Sequence, residues 1–466
     1  MMKAAIQTET FLNYDRIRNL SRVAKPSKTR IEEILEKGKI LNGLSTEEAA
    51  ELLAVDDKES IDHLLSTASY VKKEIYGKRM VLFAPLYAGN HCTNNCLYCG
   101  FRAANKDIHR IKLNMDQIRQ DTESLIREGH KRVLLLSGES GHYPLSYTLD
   151  AIAAVYSAEV NGSRIRRVNV EIAPMDIEDF KTLKKANIGT YTCFQETYDP
   201  ELYKIYHPTG KKSDYSYRLN VMHRAMEAGL DDVGVGVLFG LADYRFEVIA
   251  LMEHAADLEK KFGCGPHTVS VPRLEPAPGS AISEEVPFPV SDDDFRKIVA
   301  VIRIAMPYTG IILSTRESED IRNELFQYGV SQVSAGSRTT PGGYSLTGEE
   351  ENKQFSLGDH RSLEEVINDL TDGGFIPSFC TGCYRKGRVG NDFMDLAKPG
   401  LIKHFCMPNG LVSFAEYLSD YAPENLKKKG FNLIDKITAD AGSGEIGTLI
   451  SDSIERVKNG ERDIYL

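Results

Sequence analysis

Apolar positions recur along this chain with two different periods, and the change of period divides it. Before residue 80 they fall at helical spacing. Ser45-x-x-Glu48 forms a capping-box pattern ahead of Ala49, Ala50, Leu52 and Leu53, and Ile61, Leu64 and Leu65 follow three and four apart. This predicts a helical N-terminal extension over residues 1–79 with a packing role. From Met80 onward the pattern changes to short runs rich in leucine and β-branched residues, separated by helical stretches. The runs centre on Val81–Ala84, Val133–Leu136, Val168–Ile172, Tyr191–Phe194, Val233–Leu238, Thr268–Val271, Ile311–Ser314 and Val330–Val333. Eight strand–helix units predict an α/β chain built on a (β/α)8, TIM-type barrel over residues 80–345, and 346–466 reads as a mainly helical third part. In such barrels chemistry gathers where strands end, so the residues just after each run matter first.

Composition narrows the classes. The 466 residues exceed one ordinary core but suit a barrel with appendages. With 57 basic and 67 acidic residues the net charge is −10 and no long basic stripe occurs, which argues against a nucleic-acid partner. No run of eighteen apolar residues is present and the first thirty residues lack an apolar leader core, so neither membrane spanning nor secretion is expected. Eight cysteines, six of them in two triplets, suit thiolate ligation in a reducing, cytoplasmic compartment better than a disulfide framework.

The first triplet, Cys92-Thr-Asn-Asn-Cys96-Leu-Tyr-Cys99, follows the first run directly. Three thiolates can hold a four-iron cluster with one iron left open, and an open position admits a substrate or cofactor. A structural zinc site would want a fourth ligand at finger-like spacing; His91, next to Cys92, is badly placed to supply it. Three unrelated core thiols are the other bland alternative. After the second run, Ser137-Gly138-Glu139 combines a glycine that lets the backbone approach a ligand with a carboxylate that can accept from an ammonium, although an ordinary turn would look alike. Arg316, after the seventh run, could fork a carboxylate or form a surface pair with a neighbouring acid. Ser334 to Arg338, after the eighth, could complete the same pocket. His267 precedes a strand, which puts it at the opposite mouth, roughly 20 Å away along a six-residue strand. Cys193 and Cys264 have no partner spacing and read as core thiols. The second triplet, Cys380-x2-Cys383-x22-Cys406, lies past the barrel; His404 could complete a zinc site only at unusual spacing, so a second iron–sulfur cluster is the favoured reading.

The Cys-x3-Cys-x-aromatic-Cys loop, with Tyr98 as the aromatic, resembles the radical S-adenosylmethionine (SAM) superfamily. The resemblance implies a 4Fe–4S cluster whose open iron chelates SAM and a 5′-deoxyadenosyl radical released from it. It also implies that Ser137, Gly138 and Glu139 bind the amino group of SAM, with Ser137 standing where the family usually has glycine. By similarity to the tyrosine-lyase branch, Glu196 and Arg218 would contact the ribose and carboxylate of SAM.

Both triplets together with a full barrel resemble the HydG family of FeFe-hydrogenase maturation over essentially the whole chain. That resemblance implies a substrate, tyrosine, cleaved to p-cresol and dehydroglycine, with the fragment becoming carbon monoxide and cyanide. It further implies a C-terminal iron–sulfur cluster on Cys380, Cys383 and Cys406 with an extra iron contacted by His267, a low-potential electron donor, and delivery to the hydrogenase maturation machinery. Two alternatives stand beside it. A thiamine-pathway tyrosine lyase (2-iminoacetate synthase) shares the barrel but lacks the second triplet, and a non-enzymatic iron–sulfur scaffold would not need Glu139 or Arg316 at strand ends.

Overall fold

A computed structural model describes residues 10–345, 352–398, 401–440 and 444–466. Four helices open the described chain: α1 (Tyr14–Ser21), α2 (Lys28–Gly38), α3 (Thr46–Leu53) and α4 (Lys58–Tyr76). The capping box forms as the pattern predicts: Glu48 N–H donates to Ser45 Oγ at 3.2 Å and Ser45 N–H donates to the Glu48 carboxylate at 2.9 Å. Leu52, Leu53, Leu64 and Ala68 are fully buried, and α3 and α4 pack against the barrel helix Asp292–Ala305. The extension therefore covers one flank of the barrel and contributes to the main hydrophobic core, which is separate from two smaller clusters around the first cysteine loop.

The barrel strands are β1 (Arg79–Gly89), β2 (Arg132–Ser137), β3 (Arg167–Glu171), β4 (Tyr191–Thr192), β5 (Val233–Gly236), β6 (Thr268–Ser270), β7 (Gly310–Leu313) and β8 (Gln332–Ser334). Each pairs in parallel with the next, and β8 closes on β1 through Val81–Gln332, Leu82–Val333 and Phe83–Ser334. The (β/α)8 expectation holds. The eighth run sits two residues later than its apolar pattern suggests, because Val330 N–H still bonds Leu325 O to close the preceding helix. A short ribbon, Glu159–Val160 with Ser163–Arg164, stands apart.

Two features position the sites. Alongside Leu134, Leu136 and Ile312 the lumen is lined by Asn169, Thr192, Thr268, Ser270, Gln332 and Ser334, and a cavity remains open along it. A ninth parallel strand, β9 (Ile376–Ser378), then returns from the C-terminal part to pair with Arg79–Val81 at the start of β1. The expected boundary after residue 345 falls where the described residues stop; beyond it β9 joins the barrel sheet, and the long helix Lys403–Asp420 packs on β9, on the two helices that follow it and on α4. Among the described residues no helix is long and apolar enough to cross a membrane.

Candidate functional site

The first triplet leaves the end of β1 and folds over the C-terminal mouth. Cys92, Cys96 and Cys99 line one cavity with Tyr98, Ser137, Gly138, Glu139, Glu196 and Arg218, so sequence-distant candidates meet there. Close backbone approach explains the glycines. A Cβ on Gly138 would stand 2.2 Å from the His91 carbonyl oxygen, and Gly210, at φ +95°, would meet Asn94 Oδ1 at 2.3 Å. Loops after β2 and before Lys212 are thereby pressed against the cysteine loop, and Thr93 N–H bonds Glu139 O at 2.9 Å.

Acids and bases alternate around this cavity. Arg218 Nη1 donates to Glu139 Oε1 at 2.8 Å and Asn94 Nδ2 to Glu139 Oε2 at 2.8 Å. Arg218 Nε is taken by the Phe194 carbonyl at 2.6 Å. Lys212 Nζ donates to Glu196 Oε1 at 2.6 Å, and Glu196 itself holds a left-handed backbone, φ +73°, a costly conformation for a residue with a Cβ. Burial opposes charge on Glu139, yet Arg218 and Lys212 hold its carboxyl below the usual range. Burial pushes the Cys92 thiol up to about 11 and the Cys96 thiol up to about 12.

Sequence reasoning missed Asn94, Lys212, Glu171 and Gln354. Gln354 Nε2 lies 3.7 Å from Cys99 Sγ while its Oε1 accepts from Tyr87 at 2.7 Å. Lys212, in the 3-10 turn Lys211–Ser213, and Gln354, in a loop, have no motif around them. Asn94, inside the cysteine loop, and Glu171, the one acid in the third strand run, carried a readable signal.

Deeper in the lumen, Arg316 lines a second cavity with Tyr87, Phe194, Glu171, Glu196 and Phe355. Its guanidinium lies 3.4 Å from the centre of the Phe355 ring and, among the described residues, has no carboxylate partner. The surface-pair alternative is excluded: the adjacent acid, Glu317, is bound by Arg273 Nε at 3.0 and 3.1 Å. Ser334 and Ser337 line this cavity as well.

At the N-terminal mouth the turn after β9 carries Cys380, the short helix Gly382–Arg385 carries Cys383, the helix Lys403–Asp420 delivers Cys406, and His267 immediately precedes β6. All four line one cavity. His267 N–H bonds Val233 O at 2.9 Å, its ring lies 4.3 Å from Phe393, and burial pushes it below the usual imidazole range, which keeps the metal-ligating neutral form. Cys383 lies within hydrogen-bonding reach of Cys406; that contact, with the charges of Arg79 and Arg388, pulls the Cys406 thiol below its ordinary range. Arg132 Nη1 bonds the Cys380 carbonyl at 2.9 Å. His404 is exposed and does not line the cavity; Cys264 and Cys193 are buried, and Cys193 faces the first cavity. Among the described residues no three His, Cys, Asp or Glu side chains converge on one metal ion. Gln332 lies in the walls of both the lumen cavity and the N-terminal one, so a single side chain borders both compartments.

Comparisons with known proteins agree with this geometry. Residues 86–255 match the radical SAM superfamily model and 270–376 the biotin and thiamin synthesis associated domain. The chain is 30% identical over 339 residues to the 2-iminoacetate synthase of Salmonella typhimurium, 72% of this chain and 86% of that protein. A crystal structure of HydG, a maturase of the FeFe-hydrogenase, superposes with a TM-score of 0.94 at 47% identity over 98% of this chain and 100% of that one. The chain belongs to the HydG family. HydG from Carboxydothermus hydrogenoformans, at 44% identity and a TM-score of 0.81, covers 95% of this chain and 96% of its own.

As a radical SAM enzyme of the HydG family it takes a 4Fe–4S cluster and SAM. The residues fit both groups. Three thiols face one cavity with no fourth thiol of that loop, and the paired charges of Glu139, Glu196, Lys212 and Arg218 match a cofactor carrying an ammonium, a carboxylate and a sulfonium. At the other mouth Arg79, Arg132 and Arg388 surround three thiols, the arrangement that neutralises a net-negative thiolate cluster.

Proposed function

We propose that this chain cleaves tyrosine to p-cresol and dehydroglycine, that the fragment yields carbon monoxide and cyanide, and that these are assembled with iron for the active site of an FeFe hydrogenase. The observation that supports this above all is the pair of cysteine-lined cavities at opposite mouths of one barrel, with the lumen cavity beside the first and Gln332 in the wall between that lumen and the second. When bound and reduced, the first cluster and SAM supply a 5′-deoxyadenosyl radical.

Everything else falls to the chain's own residues. Cys92, Cys96 and Cys99 hold the first cluster, with Tyr98 buried behind it and tied by its hydroxyl to His207 at 2.7 Å. Ser137, Gly138 and Glu139 receive the amino group of SAM, while Glu196 and Arg218 orient its ribose and carboxylate; Arg218 Nη2 has no partner among the described residues. Arg316 forks the substrate carboxylate, its plane supported by Phe355. Cys380, Cys383 and Cys406 hold a second iron–sulfur cluster, and His267 ligates an extra iron there. The working division is an extension over 1–79, a barrel over 80–345 and a cluster-bearing part over 346–466. A low-potential electron donor and the hydrogenase maturation machinery are the partners, in the cytoplasm.

A 2-iminoacetate synthase activity alone would leave the N-terminal cavity, with its three thiols, His267 and three arginines, without a use. A passive scaffold would leave the buried charges around Glu139 unexplained. The test measures p-cresol, cyanide and iron-carbonyl infrared bands from the anaerobic, reduced protein with SAM and tyrosine. All three are expected; p-cresol with neither cyanide nor carbonyl bands reduces the function to the synthase reaction.

A further inference from the structure

Three carboxylates line the two cavities at the C-terminal mouth: Glu139, Glu171 and Glu196. Glu139 is occupied by Arg218 and Asn94, and Glu196 by Lys212. Glu171, the last residue of β3, accepts no hydrogen bond from any described residue, yet it lines both cavities, with the cysteine loop on one side and Arg316 on the other. Its carboxylate is half-buried and opens into the cavities, so a ligand seated there can supply the donor that the chain does not. Arg316 is the complementary case, a lumen-facing cation without an acid.

An α-amino acid carries an ammonium and a carboxylate on one carbon, and this wall offers one unpartnered acid and one unpartnered base. We infer that Glu171 receives the α-ammonium of the substrate and takes one of its protons, while Arg316 holds the carboxylate. The inference rests on the tyrosine reading above and adds a proton acceptor to it. An ammonium nitrogen has no free electron pair, whereas the C=N bond of dehydroglycine needs one. In the step assigned to Glu171 one N–H bond breaks heterolytically, the pair stays on nitrogen, and the proton moves to a Glu171 carboxylate oxygen. The amine becomes neutral, Glu171 becomes neutral, and no electron leaves the pair of groups. The surroundings suit an acceptor working near neutrality. Burial first, then the charge of Glu196, pushes Glu171 up to about 7 against the opposing pull of Lys212, Arg218 and Arg316, with Tyr87 and Cys193 also facing it.

The test uses full-length, anaerobically reconstituted protein with Glu171→Gln and Glu171→Asp. Equilibrium dialysis with SAM and no reductant compares tyrosine with 3-(4-hydroxyphenyl)propanoate, which lacks the amine. Wild-type protein is expected to favour tyrosine. Glu171→Gln should lose about tenfold or more of tyrosine affinity, keep the propanoate and SAM, and so lose the discrimination; Glu171→Asp should keep part of it. In turnover, p-cresol formation by the wild type should fall as pH drops below about 7, where Glu171 is protonated beforehand, and Glu171→Gln should lose this limb together with roughly a hundredfold in rate. Glu171→Gln with wild-type discrimination and an unchanged acid limb overturns the inference. Wild-type protein that binds SAM but not tyrosine overturns the tyrosine reading, and this step with it.

Discussion

The two cysteine cavities differ in how the chain makes them. At the C-terminal mouth the three candidate ligand thiols come from eight consecutive residues, with Cys193 a further thiol in the wall, and the cavity around them is charged in both senses, Glu139 with Arg218 and Glu196 with Lys212. At the N-terminal mouth the ligand candidates come from the segment after β9, the helix Lys403–Asp420 and the residue before β6, and the charge lining that cavity is cationic, from Arg79, Arg132 and Arg388. The contrast teaches what each end is prepared to hold. Alternating buried pairs suit a zwitterionic small molecule that can exchange partners with them, whereas a ring of guanidinium groups suits a fixed anionic cluster.

The largest expected effect breaks the first end alone. Replacing Cys92, Cys96 and Cys99 by Ala should abolish deoxyadenosine and p-cresol formation while leaving the iron and sulfide of the second site, measured by metal analysis and electron paramagnetic resonance. Residual SAM cleavage above background would remove these cysteines from the reaction. Breaking the other end should be as complete but confined to one product. Cys380→Ala with Cys383→Ala should keep p-cresol within a few-fold of wild type and eliminate iron-carbonyl bands; joint loss of both products from a folded variant would show that the two ends are not separable.

Electrostatics sharpens the contrast further. Arg218→Met leaves the Glu139 carboxylate with Asn94 as its side-chain hydrogen-bond donor and only the more distant charge of Lys212, so the chain should lose about 3–5 kcal/mol to denaturant along with SAM affinity. Glu139 is held below the usual carboxylate range, so this stability is present at neutral pH and is lost as pH falls through its folded-state pKa; an Arg218→Met deficit that does not shrink on acidification would contradict that origin. A smaller loss, about tenfold in tyrosine affinity with SAM binding unchanged, is expected for Arg316→Lys, because an ammonium cannot reproduce a planar fork stacked on Phe355. The mildest is His267→Ala, which should lower iron content at the second site and leave p-cresol untouched; unaltered iron content would take His267 out of the ligand set.

The sequence by itself determined the barrel, because eight apolar runs with turn signals between them admit few other parallel arrangements, and it determined the first cysteine loop, because ligand spacing inside eight residues is a local property. It also pointed to Arg316 and His267 through their places relative to strands, while their neighbours stayed hidden. Tertiary structure alone decided that β9 returns to pair with Arg79–Val81 and so brings Cys380 beneath the barrel beside His267. It alone decided that Arg218 bonds Glu139, that Lys212 bonds Glu196, and that Glu171 is left without a donor. The reason is range: a period or a spacing is written in neighbouring residues, but which acid meets which base at a sequence separation of 79, as for Glu139 and Arg218, is settled only when the strands close and bring their ends to one mouth.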